Sequence, residues 1–390
     1  MQLESFAGEV LDALRARGTH RQMRVLSGAQ GTRMCVDGRE VVIFAGSNYL
    51  DLAHHPEVTE AAAQAARELG CAAGGSRLIN GNLEIHEALE EELAAFCGTD
   101  AALAFGGGYL ANVGVIPALA KSGDIVISDS LSHASIIDGC RLARAGVRVF
   151  PHGDLDGLEA VLREVASTHR HVLVAVDGVY SMDGDVAPLR ELVPLAKRWG
   201  ATVLVDDAHG IGALGDAGRG ALEHCGVEGE VDIVLGTLGK SLGSFGAFVA
   251  GNALLRELLV NTARSFVFSC ALAPPQVAAA RKAIELVSRE PWRRRELSRN
   301  ATRLREGLQE HGISTEPSTT HIVPVIIGSN QRTMAVCEKL LESGFYAQGI
   351  RHPSVPEGLA RLRLTLMATH RAEEIDELVF AVAKVLQGNS

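Results

Sequence analysis

Residues 171–240 read HVLVAVDGVYSMDGDVAPLRELVPLAKRWGATVLVDDAHGIGALGDAGRGALEHCGVEGEVDIVLGTLGK, and three apolar runs inside them decide the fold. VLVAVD at 172–177, TVLVD at 202–206 and VDIVL at 231–235 are short and nearly continuous in apolar residues, as strands are when helices cover both faces of their sheet. A Gly-, Asp- and Ser-rich turn follows each run, and amphipathic helical stretches separate them. Working outward, the same rhythm yields AALAF at 101–105, DIVIS at 124–128, VRVF at 147–150 and GAFVA at 246–250. The expectation is an α/β domain built on these seven strands. Between them, EIHEALEEELAAFC places Ile85, Ala88, Leu89, Leu93 and Phe96 on one stripe and predicts a helix whose Glu-rich face is solvated.

The texture changes after about residue 290, at the charged run EPWRRRELSRN. Beyond it the pattern predicts a helix near 291–311, a strand in HIVPVIIG at 321–328, a helix near 331–343, a strand in RLRLTLM at 361–367 and a last helix carrying Ile375, Leu378, Val379, Val382 and Leu386 on one face. This reads as a small α+β domain over 291–390, beside a large domain over 46–290 and an N-terminal segment, 1–45, that packs with the small domain. At 390 residues and 47% hydrophobic, the chain has ample material for a core and is neither disordered nor fibrous. A formal net charge of -10 is the wrong sign for neutralising nucleic-acid phosphates. No apolar run is long enough for a membrane span. The seven cysteines contain no C-x-x-C pair, which suits buried thiols in a reducing cytosol, and the acidic N-terminal helix pattern is unlike an export signal. His54-His55 and His169 to His171 lack acid or cysteine neighbours at metal spacing, so no metal is assigned.

Ligands of open α/β sheets sit beyond the carboxyl ends of the strands, which directs attention to the polar residues there. TVLVD ends in Asp206 and is followed by Asp207, Ala208, His209 and Gly210; VDIVL is followed by Gly236, Thr237, Leu238, Gly239 and Lys240; VLVAVD leads through Tyr180 to Ser181. Gly239-Lys240-Ser241 copies the end of a phosphate-loop motif, but Val234 stands where that motif requires glycine. The other reading makes Lys240 a Schiff-base lysine downstream of an Asp that pairs with a protonated pyridine nitrogen. Asp206, His209, His133 and the glycine-rich turn together favour it.

In order along the chain, SNYLDLAHHP, GGSRLINGN, GGGYLAN, DSLSHASIIDG, VYSMDGDVAPL, VDDAHGIGALGDAGRG, TLGKSLGSFGAFVAG, ARSFVFS and HPSVPEGLARLRLTLMATH resemble the α-oxoamine synthase family of fold-type I pyridoxal-phosphate enzymes. The resemblance implies a mostly parallel seven-stranded sheet, pyridoxal 5'-phosphate as cofactor and a homodimer with its site at the subunit interface, where GGSRLINGN contributes to the neighbouring site. It implies that Lys240 forms the Schiff base and moves the Cα proton, that Asp206 pairs with the pyridine nitrogen, that His209 bonds the phenolic oxygen and that His133 stacks on the ring. Gly108 and Tyr109 would offer backbone N–H groups to the phosphate, Thr237 a hydroxyl, and Ser181 would line the pocket. For substrate, Arg363 would take the amino-acid carboxylate with Asn48 beside it, Arg21 would lie near the acyl-thioester entrance, and His133 and Ser354 would also bind substrate. Two departures from the family pattern are Ser354 in place of threonine and Gly358-Leu359-Ala360-Arg361 in place of G-T-A-R. SMDGDVAPL and HPSVPEG most resemble the branch that condenses L-alanine with pimeloyl-CoA or its carrier-protein equivalent in biotin biosynthesis. The 2-amino-3-ketobutyrate CoA ligase, 5-aminolevulinate synthase and soluble serine palmitoyltransferase branches remain open, as does a non-catalytic partner subunit of the same fold.

Overall fold

The computed structural model describes residues 2–388. The chain divides into two compact units. One comprises Ser47–Ser181 and Asp185–Arg295, the other Met1–Gly46, Met182–Gly184 and Glu296–Ser390. The division falls after Arg295, inside the charged run at 290–300, whose Glu290 and Pro291 precede the helix Trp292–Glu310 and whose remainder forms its start.

The larger unit is organised by one seven-stranded sheet. In chain order its strands are β1 (Ala101–Phe105), β2 (Ile125–Asp129), β3 (Gly146–Phe150), β4 (Val172–Asp177), β5 (Thr202–Asp206), β6 (Ile233–Thr237) and β7 (Ala247–Gly251). Their order across the sheet is β1-β7-β6-β5-β4-β2-β3. All neighbouring pairs are parallel except the two made by β7, which runs antiparallel to both β1 and β6. This is the mostly parallel seven-stranded sheet that the resemblance implies. β4 is buried along its whole length and β5 along all but its first residue, which explains why both read as apolar runs rather than alternating ones. The core packs Leu103, Leu204, Leu235 and Val249 of the sheet against Val115, Ile116 and Phe266 of the covering helices.

Register brings the chemistry-bearing strand ends into line. Phe105 and Thr237 both pair with Ala247, Leu235 with Asp206, and Asp206 with Asp177. The carboxyl ends of β1, β6, β5 and β4 therefore share one edge.

The helix Glu84–Cys97 corrects one expectation. Glu90, assigned to the solvated face, is 3% exposed. Its carboxylate takes Nη1 and Nη2 of the buried Arg77 at 2.6 and 3.1 Å, Nη2 of Arg256 at 2.9 Å and the backbone N–H of Ala104 at 2.9 Å. Ion pairing from a distant segment overrides the helical pattern. The cysteines differ as well: no disulfide joins them, but Cys71 and Cys270 are exposed rather than buried.

The smaller unit holds a three-stranded antiparallel sheet with Ala360–Thr365 between Ile322–Gly328 and Gln348–Ile350. Pro324 sits on an edge strand, where a missing N–H is tolerated. A second sheet combines the ribbon Leu26–Ser27, Arg33–Val36 and Arg39–Ile43 with Phe345–Tyr346, which pairs parallel to Arg39–Ile43. The helix Leu3–Ala16 buries none of its residues in the chain and leaves Leu3, Phe6, Val10, Leu11 and Leu14 exposed. Among the described residues, no helix is long and apolar enough to cross a membrane.

Candidate active site

Asp206 closes β5 and is 5% exposed. Oδ1 accepts the N–H of Ala208 at 3.1 Å and Oδ2 accepts Nδ2 of Asn112 at 2.6 Å. The carboxylate is thus held at two points at the end of a central strand. Asp207, its neighbour, points into a different environment. Oδ2 accepts the N–H of Ala221 at 2.7 Å, and a Cβ added to Gly210 or Gly220 would fall 2.1 or 1.8 Å from its oxygens. Gly220 also has a φ of +91°, so Gly210 and Gly220 let the backbone close around this acid. Burial pushes the Asp207 carboxyl well above the usual range.

His209 bridges two partners. Its Nδ1 lies 2.7 Å from the hydroxyl of the buried Tyr49, and its Nε2 lies 2.8 Å from Nζ of Lys240. Lys240 is half-buried in the connection from β6 to β7. That connection is fastened by Leu238 N–H to Gly246 O, Ser244 N–H to Leu238 O and Gly243 N–H to Lys240 O, at 2.9, 2.8 and 2.9 Å.

His133 caps the helix Ala134–Ala143. Its Nδ1 is 2.6 Å from Oγ of Ser135 and 3.3 Å from the backbone N of Ser135, and its own backbone N–H donates to Asp177 Oδ2 at 2.9 Å. Enclosure of the ring lowers its pKa; Asp206 opposes that shift and Lys240 adds to it, and the imidazole is left below its ordinary value. Asp177 is pushed well above the carboxylate range, first by burial and then by Asp206.

The helix Gly108–Leu119 begins three residues after β1, and the first-turn N–H groups of a helix have no intrahelical partner. Its start packs on β6: a Cβ on Gly108 would lie 3.0 Å from Cγ2 of Thr237. Thr237 Oγ1 donates to Ala208 O at 3.3 Å, and the Tyr109 hydroxyl donates to Asp138 Oδ2 at 2.7 Å. Ser181 follows Tyr180 in the loop after β4. A third histidine braces that loop: His152 Nδ1 is 3.0 Å from Asp129 Oδ1, and Nε2 is 2.9 Å from Asp185 Oδ2. Hydrogen bonds to these two carboxylates push the imidazole up to about 10.

The remaining residues named from the sequence lie elsewhere. In the larger unit, Asn48 turns its Oδ1 onto the N–H groups of Leu52 and Ala53, at 3.1 Å each. In the smaller unit, Arg363 sits on the central strand, paired with Pro324 and Gln348, with Nη1 3.4 Å from Gly46 O. Arg21 Nη2 meets Ser354 Oγ at 3.4 Å, and both residues are exposed. Arg361 contacts Asp183 and Met182 O.

His55 differs from expectation. Its ring comes within reach of Glu57 and Glu290, the latter 235 positions along the sequence and invisible to local spacing. Arg289 pairs with both acids and Arg293 with Glu290, so guanidinium groups already supply the positive charge there.

Sequence reasoning also missed Asn112, Ser135, Tyr49 and His152. The available signal was a buried-type polar residue, Asn112, in the otherwise apolar helix GYLANVGVIPAL.

Lys240, Asp206, His209, His133, Thr237 and the N-terminus of Gly108–Leu119 form a donor set that fits pyridoxal 5'-phosphate: an amine for its carbonyl, a carboxylate for its ring nitrogen, and N–H and O–H groups for its phosphate.

The sequence pattern of aminotransferases of class I and II matches residues 39–382. An 8-amino-7-oxononanoate synthase from Geobacter sulfurreducens is 50% identical over 383 residues, covering 98% of this chain and 97% of that one. The enzyme of the same name from Thermoanaerobacter pseudethanolicus is 44% identical, with 97% and 96% covered. Among solved structures, the serine palmitoyltransferase of Sphingomonas wittichii superposes with a TM-score of 0.93 at 35% identity, covering 100% of this chain and 99% of that one. The serine palmitoyltransferase of S. paucimobilis, solved with a PLP–myriocin aldimine, gives 0.94 at 33%, with the same coverage. The chain therefore belongs to the class I and II aminotransferase family and, within it, to the pyridoxal-phosphate-dependent α-oxoamine synthases.

Proposed function

We propose that this protein condenses L-alanine with a pimeloyl thioester, carried on CoA or on a carrier protein, with loss of CO2, as the 8-amino-7-oxononanoate synthase step of biotin biosynthesis. The observation that carries the reading is the placement of Lys240 Nζ 2.8 Å from His209 Nε2, in the connection that follows β6, the strand next to the one that ends in Asp206. An amine, an imidazole and a carboxylate at one sheet edge are the groups that cofactor's chemistry needs, and relatives 42–50% identical over nearly the whole chain carry this name.

When bound, pyridoxal phosphate supplies an electron-withdrawing ring conjugated to the amino acid nitrogen, which makes the Cα proton removable. The chain's own residues do the rest. Asp206 holds the ring nitrogen in its protonated state, as a fixed negative charge at the end of β5. Lys240 Nζ takes the proton from Cα of alanine and returns one to the product carbon. His209, steadied by Tyr49, orients Lys240 and the cofactor's phenolic oxygen. His133 covers the ring face. Thr237 and the first turn of Gly108–Leu119 hold the phosphate, and Ser181 lines the pocket. Arg363 receives the carboxylate of alanine as a bidentate partner, Asn48 and Ser354 also serve the substrate, and Arg21 serves the acyl chain.

The functional unit in this reading is a cytoplasmic homodimer. Exposed Leu78, Ile79, Phe245 and Phe268 in the larger unit, and the apolar stripe of the helix Leu3–Ala16, support a partner surface. A second reading, transfer of a long acyl chain to serine, is favoured by the close superposition on serine palmitoyltransferases.

Thiol release measured with glycine, alanine and serine crossed against acetyl, succinyl, pimeloyl and palmitoyl thioesters separates these readings. Alanine with the pimeloyl thioester is expected to give the highest kcat/KM, with glycine lower by about 10–200-fold, the range one methyl contact can provide. A maximum at serine with palmitoyl would replace the first reading with the second.

A further inference from the structure

His133 and Asp206 stand at the ends of different strands, with β4 between theirs in the sheet. Two fully buried side chains join them. Asn112 Nδ2 lies 2.6 Å from Asp206 Oδ2 and 2.8 Å from Ser135 Oγ, and Ser135 Oγ lies 2.6 Å from His133 Nδ1. The direction of every link follows from the one before it. A carboxylate only accepts, so the amino end of the Asn112 amide faces Asp206. The second hydrogen of that amino group points to Ser135 Oγ, which therefore accepts. A hydroxyl has one hydrogen, and the remaining neighbour of this one is His133 Nδ1, so Ser135 donates there. The backbone N–H of Ser135 faces the same ring nitrogen at 3.3 Å. A ring nitrogen that accepts from two donors carries no proton, and the proton of the imidazole is left on Nε2.

We propose that Asn112 and Ser135 are positioning residues that lock His133 as the neutral Nε2–H tautomer, through a one-way hydrogen-bond relay anchored on Asp206.

Two independent observations agree with this polarity. Asn112 Oδ1 is buried without a hydrogen-bond partner, so the amide reaches its neighbours through its amino group alone. The imidazole is also held below its ordinary pKa, with Asp177 and Asp206 the acids near it and Lys240 the base. The relay is a property of the protein alone. Its consequence rests on the pyridoxal-phosphate reading: an uncharged imidazole can lie against a protonated pyridine ring without charge repulsion, while its Nε2–H offers a donor to an acceptor oxygen.

Neutron diffraction from deuterium-exchanged crystals, of the PLP-free protein and of the holoenzyme, tests the relay in the wild type. The expected maps show a deuteron on His133 Nε2, none on Nδ1, and the Ser135 hydroxyl deuteron directed at Nδ1 in both forms. A deuteron on Nδ1 overturns the proposal. A second test uses Ser135→Ala, which places a good helix former in a helix and removes one donor. The visible circular dichroism of bound PLP is expected to fall by about half, and kcat for alanine with pimeloyl-CoA by about tenfold, the fold-change of one ordinary hydrogen bond. Wild-type values for both would remove Ser135 from the relay. A holoenzyme preparation with no visible PLP band would instead sink the cofactor reading, leaving the PLP-free neutron result to judge the relay.

Discussion

Two histidines at the same edge of the large sheet are treated in opposite ways. His133, after β2, is met at Nδ1 by a hydroxyl and a backbone N–H and is held below its ordinary pKa. His152, just after β3, is clamped between Asp129 and Asp185 and is pushed up to about 10. One imidazole is kept neutral with an edge open; the other is a partly exposed cation with both nitrogens used. The same contrast separates Asp206, held by an amide and an N–H at the strand end, from Asp207, enclosed in a glycine cradle one residue on. The comparison shows two populations of ionisable groups at this edge, one available to a ligand and one spent on holding loops. Asp206 and Asp207 are adjacent in sequence, so the partner set decides which is which.

That division can be broken by substitution. Lys240→Ala is expected to have the largest effect, lowering turnover by at least about 10,000-fold and removing the visible imine band, with the thermal midpoint little changed, because the amine that holds the cofactor and moves the proton is gone. Cofactor absorption together with steady-state rates checks it; turnover near wild type would take Lys240 out of the mechanism. Asp206→Asn should still bind PLP but slow alanine-dependent Cα proton exchange by about two orders of magnitude, corresponding to about 3 kcal/mol for neutralising a buried charge partner. Loss of deuterium from Cα-labelled alanine, followed by NMR, measures this step directly.

Substitutions on the bracing side should show the reverse pattern. Gly220→Ala puts a Cβ against Asp207 at a φ of +91°, and a loss of more than about 2 kcal/mol in unfolding free energy is expected. His152→Gln should cost about 1–3 kcal/mol at pH 6, with kcat of the folded enzyme within about threefold of wild type. Its effect depends on pH in a defined direction. The folded-state pKa of His152, about 10, lies above the ordinary value of 6.5, so the stabilisation is complete below about pH 6.5 and is lost as pH rises through about 10. Denaturant melts of wild type and variant from pH 6 to 10.5 should therefore converge at the alkaline end. A stability difference that stays constant with pH would mean that His152 braces the loop without its charge.

Much of this was legible in the sequence where burial forces a continuous signal. Six of the seven strands of the large sheet stand out because they are buried on both faces, whereas the edge strand Gly146–Phe150 is exposed at all but its last residue, and Asp206 and Lys240 are conspicuous because they end or follow buried runs. The smaller unit was half legible. Its long strands and helices show, but Leu26–Ser27, Arg33–Val36, Phe345–Tyr346 and Gln348–Ile350 are two to four residues each and too short to carry a period. Supporting residues were illegible for another reason. Asn112 and Asp206 are 94 positions apart, and Glu90 and Arg256 are 166 apart, so the apolar helix around Asn112 signals its burial but nothing local names its partner, and nothing local distinguishes Glu90 from its solvated neighbours.

The antiparallel strand β7 has a mechanical consequence. In the rest of the sheet, one strand is joined to the next by a long crossover that could yield under load. The segment bearing Lys240 is instead a short hairpin returning directly into the sheet, riveted at Leu238–Gly246 and again at Leu238–Ser244. Its backbone is thus a fixed anvil, and the stroke of the ammonium group is limited to what four methylenes can swing. The amine can move from one carbon to the next and back, but it cannot be drawn away from the site by motion of the chain beneath it.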